Sequence, residues 1–121
     1  MTKVLMAVCM TAAAMAQDAK VMPLVRQELA GIAGKEATMA TVEYAPGGSS
    51  KEHRHNAHVF VYVLEGSVVM QVKGGNPVTL GPGETFYESP EDVHTVSRNA
   101  SATKGCTSAE WGFSIMVRFL V

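Results

Sequence analysis

Short runs of apolar residues alternate along the chain with clusters of glycine, proline and small polar residues. In several runs apolar and polar side chains alternate at every second position, which is typical of half-buried strands. These runs predict strands at residues 37–45, 59–64, 67–73, 77–80, 84–88, 94–97 and 111–121. So many short strands, with almost no helical periodicity, predict an all-β antiparallel sandwich or barrel, and a double-sheet jelly roll fits the count.

The segments between these runs differ in how clearly they can be interpreted. Gly74-Gly75-Asn76 predicts a hairpin, because glycine and asparagine tolerate the positive φ angles of such turns. Residues 100–109 are small and polar and predict a loop before the final strand. Residues 17–35 form a lead-in whose partial helical spacing is interrupted by Pro23 and by two glycines, so both a helix and a first edge strand remain open.

Composition and charge limit the range of partners. The chain has 121 residues, of which 47% are hydrophobic and 17% charged, which allows one domain with a single core, at residues 36–121. The net charge is −1 and the basic residues are scattered. Nucleic acid and anionic membranes are therefore not expected as partners, and a small molecule is the expected ligand.

Residues 1–16 have the features of a signal peptide. Lys3 supplies a small positive region, residues 4–13 are apolar or small, and Ala14-Met15-Ala16 has the form of a cleavage site. We therefore expect export to the periplasm or the medium, with a start-site artefact or a buried N-terminal strand as the alternatives. No apolar run is long enough to span a bilayer, so stable membrane insertion is not expected. After cleavage Cys106 would be the only cysteine, which leaves no intrachain disulfide.

Three of the four histidines lie within six residues, at His53, His55 and His58. Residues i and i+2 of a strand share a face, so His53 and His55 would present two imidazoles to the same place. Imidazole is the commonest protein ligand for transition metals. The fourth histidine, His94, follows a second strand-like run and would complete a three-histidine site if that strand returned beside the first.

The surroundings of these histidines resemble the first motif of the cupin superfamily. That motif reads Gly, five residues, His-x-His, three or four residues, Glu, six residues, Gly, and Gly47, His53, His55 and Gly66 match it. Val59 stands in the place of the glutamate. The resemblance implies a double-stranded β-helix barrel with a metal centre, from which one carboxylate ligand is missing.

The second cupin motif is also recognisable, with departures. Gly83, His94 and Asn99 match it. Ser89 replaces a proline, the following proline comes one residue late, Glu91 replaces a glycine, and Asn99 is displaced by one residue. The resemblance covers about residues 36–99, and it supports the fold more strongly than it supports the metal site.

The predicted metal ligands are His53, His55 and His94, with His58 as a further candidate or a supporting residue. An imidazole-rich site favours Mn, Fe, Zn, Ni or Cu over Mg and Ca, which prefer oxygen ligands. If the missing carboxylate weakens this site, Val59→Glu should tighten metal binding. Three polar residues near the predicted site are candidates to line a substrate pocket, with surface positions as the alternative: Gln71, Tyr87 and Glu88.

The resemblance implies metal-dependent chemistry on a small organic molecule. Dioxygenase-, lyase- and isomerase-type reactions are all compatible with it, because a fold does not fix a function, and no catalytic residue is assigned. A non-catalytic module that binds a small ligand, with or without metal, is the alternative, and the missing glutamate favours it.

Strand parity also predicts a homodimer. If His53 and His55 point into the barrel and the alternation continues, then Phe60, Tyr62 and Leu64 face outward. A bulge at Asn56-Ala57 is the alternative, and it would invert the parity and turn the aromatic residues inward. The N-terminal segment, the final strand or a second subunit would have to cover such an apolar face. Cupins commonly pair in this way, and two-fold dimers are the commonest oligomers.

Overall fold

The computed structural model describes residues 19–114. They contain strands and no helix: β1 (Lys20–Glu28), β2 (Glu36–Tyr44), β3 (His53–Arg54), β4 (Ala57–Glu65), β5 (Val68–Val72), β6 (Val78–Leu80), β7 (Thr85–Glu88), β8 (Val93–Asn99) and β9 (Cys106–Ser114). The predicted signal peptide and residues 115–121 lie outside the described residues, so export remains a prediction. The described part of the chain has no helix with the length and apolar character of a membrane span.

The strands form two sheets, both antiparallel. The first has the order β1-β2-β9-β4-β7 and the second the order β3-β8-β5-β6. The predicted all-β class is confirmed, and the short strands lie close to where the apolar runs placed them. The hairpin predicted at Gly74-Gly75-Asn76 joins β5 to β6, and Gly74 has the positive φ that such a turn requires.

The core lies between the inner faces of the two sheets. In β4 buried and exposed residues alternate strictly from Ala57 to Val63, which confirms the predicted parity of this strand. Each buried valine side chain contributes roughly 1.5 kcal/mol or more to stability. The buried apolar cluster comprises Val42, Tyr44, Ala57, Val59, Val61, Val63, Val68, Met70, Leu80 and Cys106.

The lead-in forms an edge strand, which settles the choice between helix and strand. β1 pairs with β2, and the register shifts between Pro23 and Val25. Proline has no N–H to donate to a ladder and is found mainly at edges and bulges, which agrees with this position. Apart from the half-buried Val21, every residue of β1 is exposed.

The final strand begins earlier than the sequence predicted. Residues 106–109 were expected to belong to a loop, whereas β9 starts at Cys106 and lies in the middle of the first sheet, between β2 and β4. Small and polar residues have little strand propensity of their own. Pairing with two neighbouring strands, at Tyr44 and Glu65 among other positions, decides their conformation.

Asn99, a residue of the second motif, connects three backbone segments. Its buried Nδ2 donates to the carbonyls of Ala45 and Lys104 at 3.1 and 2.6 Å, and Ser101 N donates to its Oδ1 at 2.8 Å. The loop after β2 is thereby attached to the loop between β8 and β9. Asn99 therefore stabilises the fold at the end of the strands away from the histidines.

Gly66, a residue of the first motif, has no room for a side chain. Its φ is +75°, and a Cβ would lie 2.6 Å from Cys106 Cβ and 2.6 Å from Gly105 O. Gly47 has a similar φ of +70° but open space around it. A side chain at Gly47 would therefore cause backbone strain alone, whereas a side chain at Gly66 would cause both strain and steric overlap.

We expect Gly66→Ala to lower the free energy of unfolding by about 3–5 kcal/mol, because strain and overlap add. Gly47→Ala should cost about 1–2 kcal/mol, from strain alone. Urea denaturation of both variants measures the difference. Equal losses for the two variants would show that the contact with Cys106 does not determine the choice of glycine.

Candidate functional site

The structure brings His53, His55 and His94 together. His53 of β3 pairs directly with His94 of β8, and His55 follows β3 by one residue. The ring centroids of His53 and His55 are 4.7 Å apart, and those of His53 and His94 are 5.1 Å apart. The two cupin half-motifs thus meet at one place, at the end of the second sheet.

A carboxylate from the other sheet joins these histidines. Glu88, the last residue of β7, is only 2% exposed. Its Oε1 lies 2.7 Å from His94 Nδ1, and its Oε2 lies 3.9 Å from His55 Nε2. Glu88 was predicted as a pocket residue, and the structure places it in contact with two of the predicted metal ligands.

A tight turn connects Glu88 to His94 and carries the chain from one sheet to the other. Ser89 N donates to Asp92 Oδ2 at 2.7 Å, and Asp92 N donates to Ser89 O at 3.1 Å. Except for the displaced Asn99, the positions at which the sequence departs from the second cupin motif lie in this turn. The sequence therefore differs from the motif here but still forms a turn that brings Glu88 and His94 into contact.

Glu88 also lies beside the position of the missing motif glutamate. In the pairing of β4 with β7, Val59 and Glu88 are direct partners. Directly paired residues have Cβ atoms about 4.5–5.5 Å apart on the same face. A carboxylate on β7 therefore stands next to the place where the motif carries one on β4. The sequence offered only one signal for this, a glutamate at the end of a strand just before the turn.

The contacts of two imidazoles define where their protons lie. His53 Nδ1 lies 2.6 Å from Lys51 O, and a carbonyl oxygen can only accept, so Nδ1 carries the proton. His94 Nδ1 lies 2.7 Å from Glu88 Oε1, and the carboxylate favours a proton on that nitrogen as well. In the uncharged form of either ring the lone pair is then on Nε2. His94 Nε2 is buried and has no hydrogen-bond partner among residues 19–114.

His55 is held in its neutral form. The pKa of His55 is lowered to about 4, chiefly by burial; the Glu88 carboxylate opposes this effect, and His53 and His94 contribute to it. At neutral pH the ring is therefore uncharged. Neutral imidazole is the form that coordinates a metal ion.

The side chains suit a transition metal in their chemistry. Three imidazoles and a buried carboxylate form a donor set that Mn, Fe, Zn, Ni and Cu all accept. Within the part of the chain that the structure describes, however, no three His, Cys, Asp or Glu side chains form a group whose geometry would hold a metal ion. The residue types and the unpartnered His94 Nε2 fit a metal, and the binding itself remains a prediction.

The structure does not bring His58 to this cluster. His58 lies on the exposed face of β4, and its Nδ1 is 2.6 Å from the hydroxyl of Tyr87. Because successive strand residues point to opposite faces, a histidine at an even position of β4 faces away from the buried side chains of Val59 and its neighbours. The structure therefore does not place His58 with His53, His55 and His94.

Two of the predicted pocket residues also lie elsewhere. Tyr87 is 48% exposed and packs beside Phe60 on the outer face of the first sheet, with ring centroids 5.1 Å apart. Gln71 Nε2 donates to Gly75 O at 2.9 Å, within the hairpin after β5. Only Glu88, of the three predicted pocket residues, is found beside the histidines.

Comparisons with known proteins agree with this architecture. The family model described as a cupin domain matches residues 40–107. No curated protein matches the chain. A solved cupin domain from Bordetella pertussis is 19% identical with a TM-score of 0.64, and the match covers 83% of this chain and 97% of that one.

Two further solved structures illustrate the range of the fold. An RmlC-like cupin from Methanocaldococcus jannaschii, with a double-stranded β-helix fold, is 14% identical with a TM-score of 0.64, and the match covers 80% of this chain and 81% of that one. A DMSP lyase from Ruegeria pomeroyi is 19% identical with a TM-score of 0.61; the match covers 70% of this chain, which spans only 42% of the lyase. The predicted jelly-roll fold is confirmed. Because the family model covers more than half of the sequence, this chain belongs to the cupin family.

Proposed function

We propose that this cupin binds one divalent transition-metal ion through His53, His55 and His94 and uses it in a reaction on a small organic molecule. The observation that carries the proposal is the buried cluster in which Glu88 contacts His94 and approaches His55. Burying a carboxylate costs free energy unless a positive charge lies beside it, and a divalent cation bound by the three histidines would supply that charge.

The protein side chains have distinct roles in this proposal. The three Nε2 atoms are the ligands, and Lys51 O and Glu88 hold the rings of His53 and His94 in the required tautomer. Glu88 also provides the negative charge that the motif glutamate provides elsewhere, and it can accept a proton within the site. A bound metal would supply Lewis acidity or an open coordination position for substrate or oxygen.

The proposed metal site is compatible with lyase, isomerase or dioxygenase chemistry. One structural neighbour is a DMSP lyase, which supports small-molecule chemistry on this fold. At 19% sequence identity, the similarity between this chain and the lyase concerns the fold alone. A non-catalytic ligand-binding module is the competing function, and the valine at the position of the motif glutamate favours it. Absence of metal would favour the binding module, because the proposed reaction requires the metal.

Elemental analysis of the purified protein should find close to one Mn, Fe, Zn, Ni or Cu ion per chain. His53→Ala and His94→Ala should remove it, because each deletes a ligand. His58→Ala is the matched control and should keep the metal, since His58 lies on the outer face. A wild-type protein without metal, even after incubation with all five ions, would contradict the enzyme and favour the binding module.

A carboxylate exchange tests the role of Glu88. Glu88→Val should weaken metal binding by about 10–100-fold, as measured by chelator competition, because the charge and the support of His94 are lost. The double variant Val59→Glu/Glu88→Val returns the carboxylate to the motif position and should recover most of the affinity.

The single variant Val59→Glu completes this comparison. A second carboxylate at position 59 would lie directly beside Glu88, so we propose that Val59→Glu does not tighten metal binding, contrary to the expectation from the motif alone. We expect it to destabilise the protein by about 2–4 kcal/mol without raising the metal affinity. A single variant that binds metal more tightly than the wild type would show that Glu88 does not provide the carboxylate.

We also propose that the outer face of the first sheet is a dimer interface. Exposed apolar side chains from three strands lie on this face, which we call the outer patch: Met39 in β2, Phe60, Tyr62 and Leu64 in β4, and Tyr87 in β7. The register aligns Met39 in β2 with Phe60 in β4 across β9, and Phe60 with Tyr87 in β7. A continuous exposed patch of this kind typically marks an interface.

Light scattering should give twice the monomer mass for the wild-type protein. Tyr62→Asp should shift the mass toward the monomer, because it places a charge in the outer patch. Val78→Asp changes a similarly exposed apolar residue on the other sheet and should leave the dimer intact. A wild-type monomer at micromolar concentration would exclude this interface.

A further inference from the structure

A tyrosine hydroxyl lies inside the barrel between two serine hydroxyls, and the proposed metal site uses none of the three. Tyr44 OH is 2.7 Å from Ser50 Oγ and 2.5 Å from Ser97 Oγ. Tyr44 and Ser97 are each only 4% exposed, and Tyr44 belongs to the buried apolar cluster of the core. A buried tyrosine hydroxyl needs a hydrogen-bond partner, and both partners here belong to segments that carry histidines. We call these three residues the hydroxyl cluster.

The two serines of the hydroxyl cluster lie at matching distances from two of the predicted ligands. Ser50 comes three residues before His53, and Ser97 comes three residues after His94. His53 pairs directly with His94. Ser50 N donates to Ser97 O at 2.8 Å, so the two segments are also joined at the serines. At about 3.3 Å per residue, the hydroxyl cluster lies roughly 10 Å along the strands from the two histidines.

Ser50 fixes the start of the short segment that leads to His53. Its N–H bonds to β8 through Ser97 O, and its side chain contacts Tyr44 of β2. The next two residues, Lys51 and Glu52, are exposed, and β3 has only two residues. Exposed segments of this kind have few packing contacts to hold them in place. The position of this segment therefore depends on how firmly Ser50 is attached.

The carbonyl of Lys51 connects this attachment to the candidate site. His53 Nδ1 lies 2.6 Å from Lys51 O, and this contact places the ring proton on Nδ1 and leaves Nε2 free to bind a metal. Lys51 directly follows Ser50 in the chain. The contact between Tyr44 and Ser50 therefore bears on the carbonyl that orients His53.

We infer that Tyr44 is a positioning residue for the proposed metal site. Through Ser50 it fixes the Lys51 carbonyl, and that carbonyl sets the tautomer and the orientation of His53. The inference rests on the proposed function only for the role of His53 as a metal ligand. Because the hydroxyl cluster lies roughly 10 Å from the histidines, Tyr44 acts through His53 and does not contact a bound ion.

The tautomer of His53 can be measured in the full-length protein after dialysis against a chelator. ¹⁵N NMR of the ring nitrogens, at a mildly alkaline pH where imidazole is uncharged, should show the His53 proton on Nδ1. Tyr44→Phe removes only the hydroxyl and should shift His53 toward the tautomer with its proton on Nε2. Ser50→Ala should cause the same shift, and the double variant should add nothing further, because both changes break one contact. An unchanged tautomer in either single variant would overturn the inference.

Two control variants separate positioning from a general loss of stability. Tyr62→Phe removes a tyrosine hydroxyl from the outer face of β4 and should leave the tautomer unchanged. Leu80→Ala truncates a buried side chain in β6, at the opposite edge of the second sheet from β3. It should lower the melting temperature without changing the tautomer. A shift of His53 in Leu80→Ala as large as that in Tyr44→Phe would make the role of Tyr44 purely structural and overturn the inference.

Chelator competition with Zn²⁺ shows whether the proposed function and the role of Tyr44 stand or fall separately. Tyr44→Phe should weaken Zn²⁺ binding about tenfold, as is typical when the support of a metal ligand is lost. A wild-type protein that binds no metal, with the tautomer of His53 still dependent on Tyr44, would overturn the proposed function and keep Tyr44 as the residue that positions this ring. A wild-type protein that binds Zn²⁺ with an affinity unchanged in Tyr44→Phe would overturn the inference and leave the proposed function intact.

Discussion

The buried carboxylate of Glu88 is the constraint on which the rest of the site depends. A carboxylate that is 2% exposed is unstable without partners, and its partners here come from the other sheet. Glu88 is the last residue of β7 in the first sheet, while His94 is the second residue of β8 in the second. The contact between them therefore joins the two sheets where the barrel carries its histidines, and it requires the turn at residues 89–92 to keep its shape.

The residues of the cupin motifs fall into two groups, one at the candidate site and one with a structural role. His53, His55 and His94 gather at one end of the strands, where the chemistry is proposed. Gly66 and Asn99 stabilise the opposite end: Gly66 through its close approach to Cys106, and Asn99 through hydrogen bonds to two loops. A sequence motif in this chain thus combines residues of the candidate site with residues that hold the scaffold, and only the first group bears on function.

The first sheet has two faces with different character. Its inner face carries the valines of β4 in the middle and polar side chains at the histidine end, where Glu36, Thr38 and Glu88 are buried. Its outer face carries exposed aromatic and aliphatic residues from three strands. One alternation of side chains in β4 produces both faces, so a slip of one residue in its register would exchange core and surface.

The sequence by itself determined the features that depend on local periodicity. We could predict the all-β class, the approximate position of most strands, the parity of β4 and the grouping of His53, His55 and His94. These features depend on the alternation of apolar and polar residues and on motif spacing, both of which can be read from the sequence. The tertiary structure decided what depends on pairing between distant strands. It showed that β9 begins at Cys106, that His58 and Tyr87 face outward, and that Glu88 stands beside the valine in the glutamate position. Those features follow from register across a sheet, which brings together residues whose separation along the chain carries no local signal.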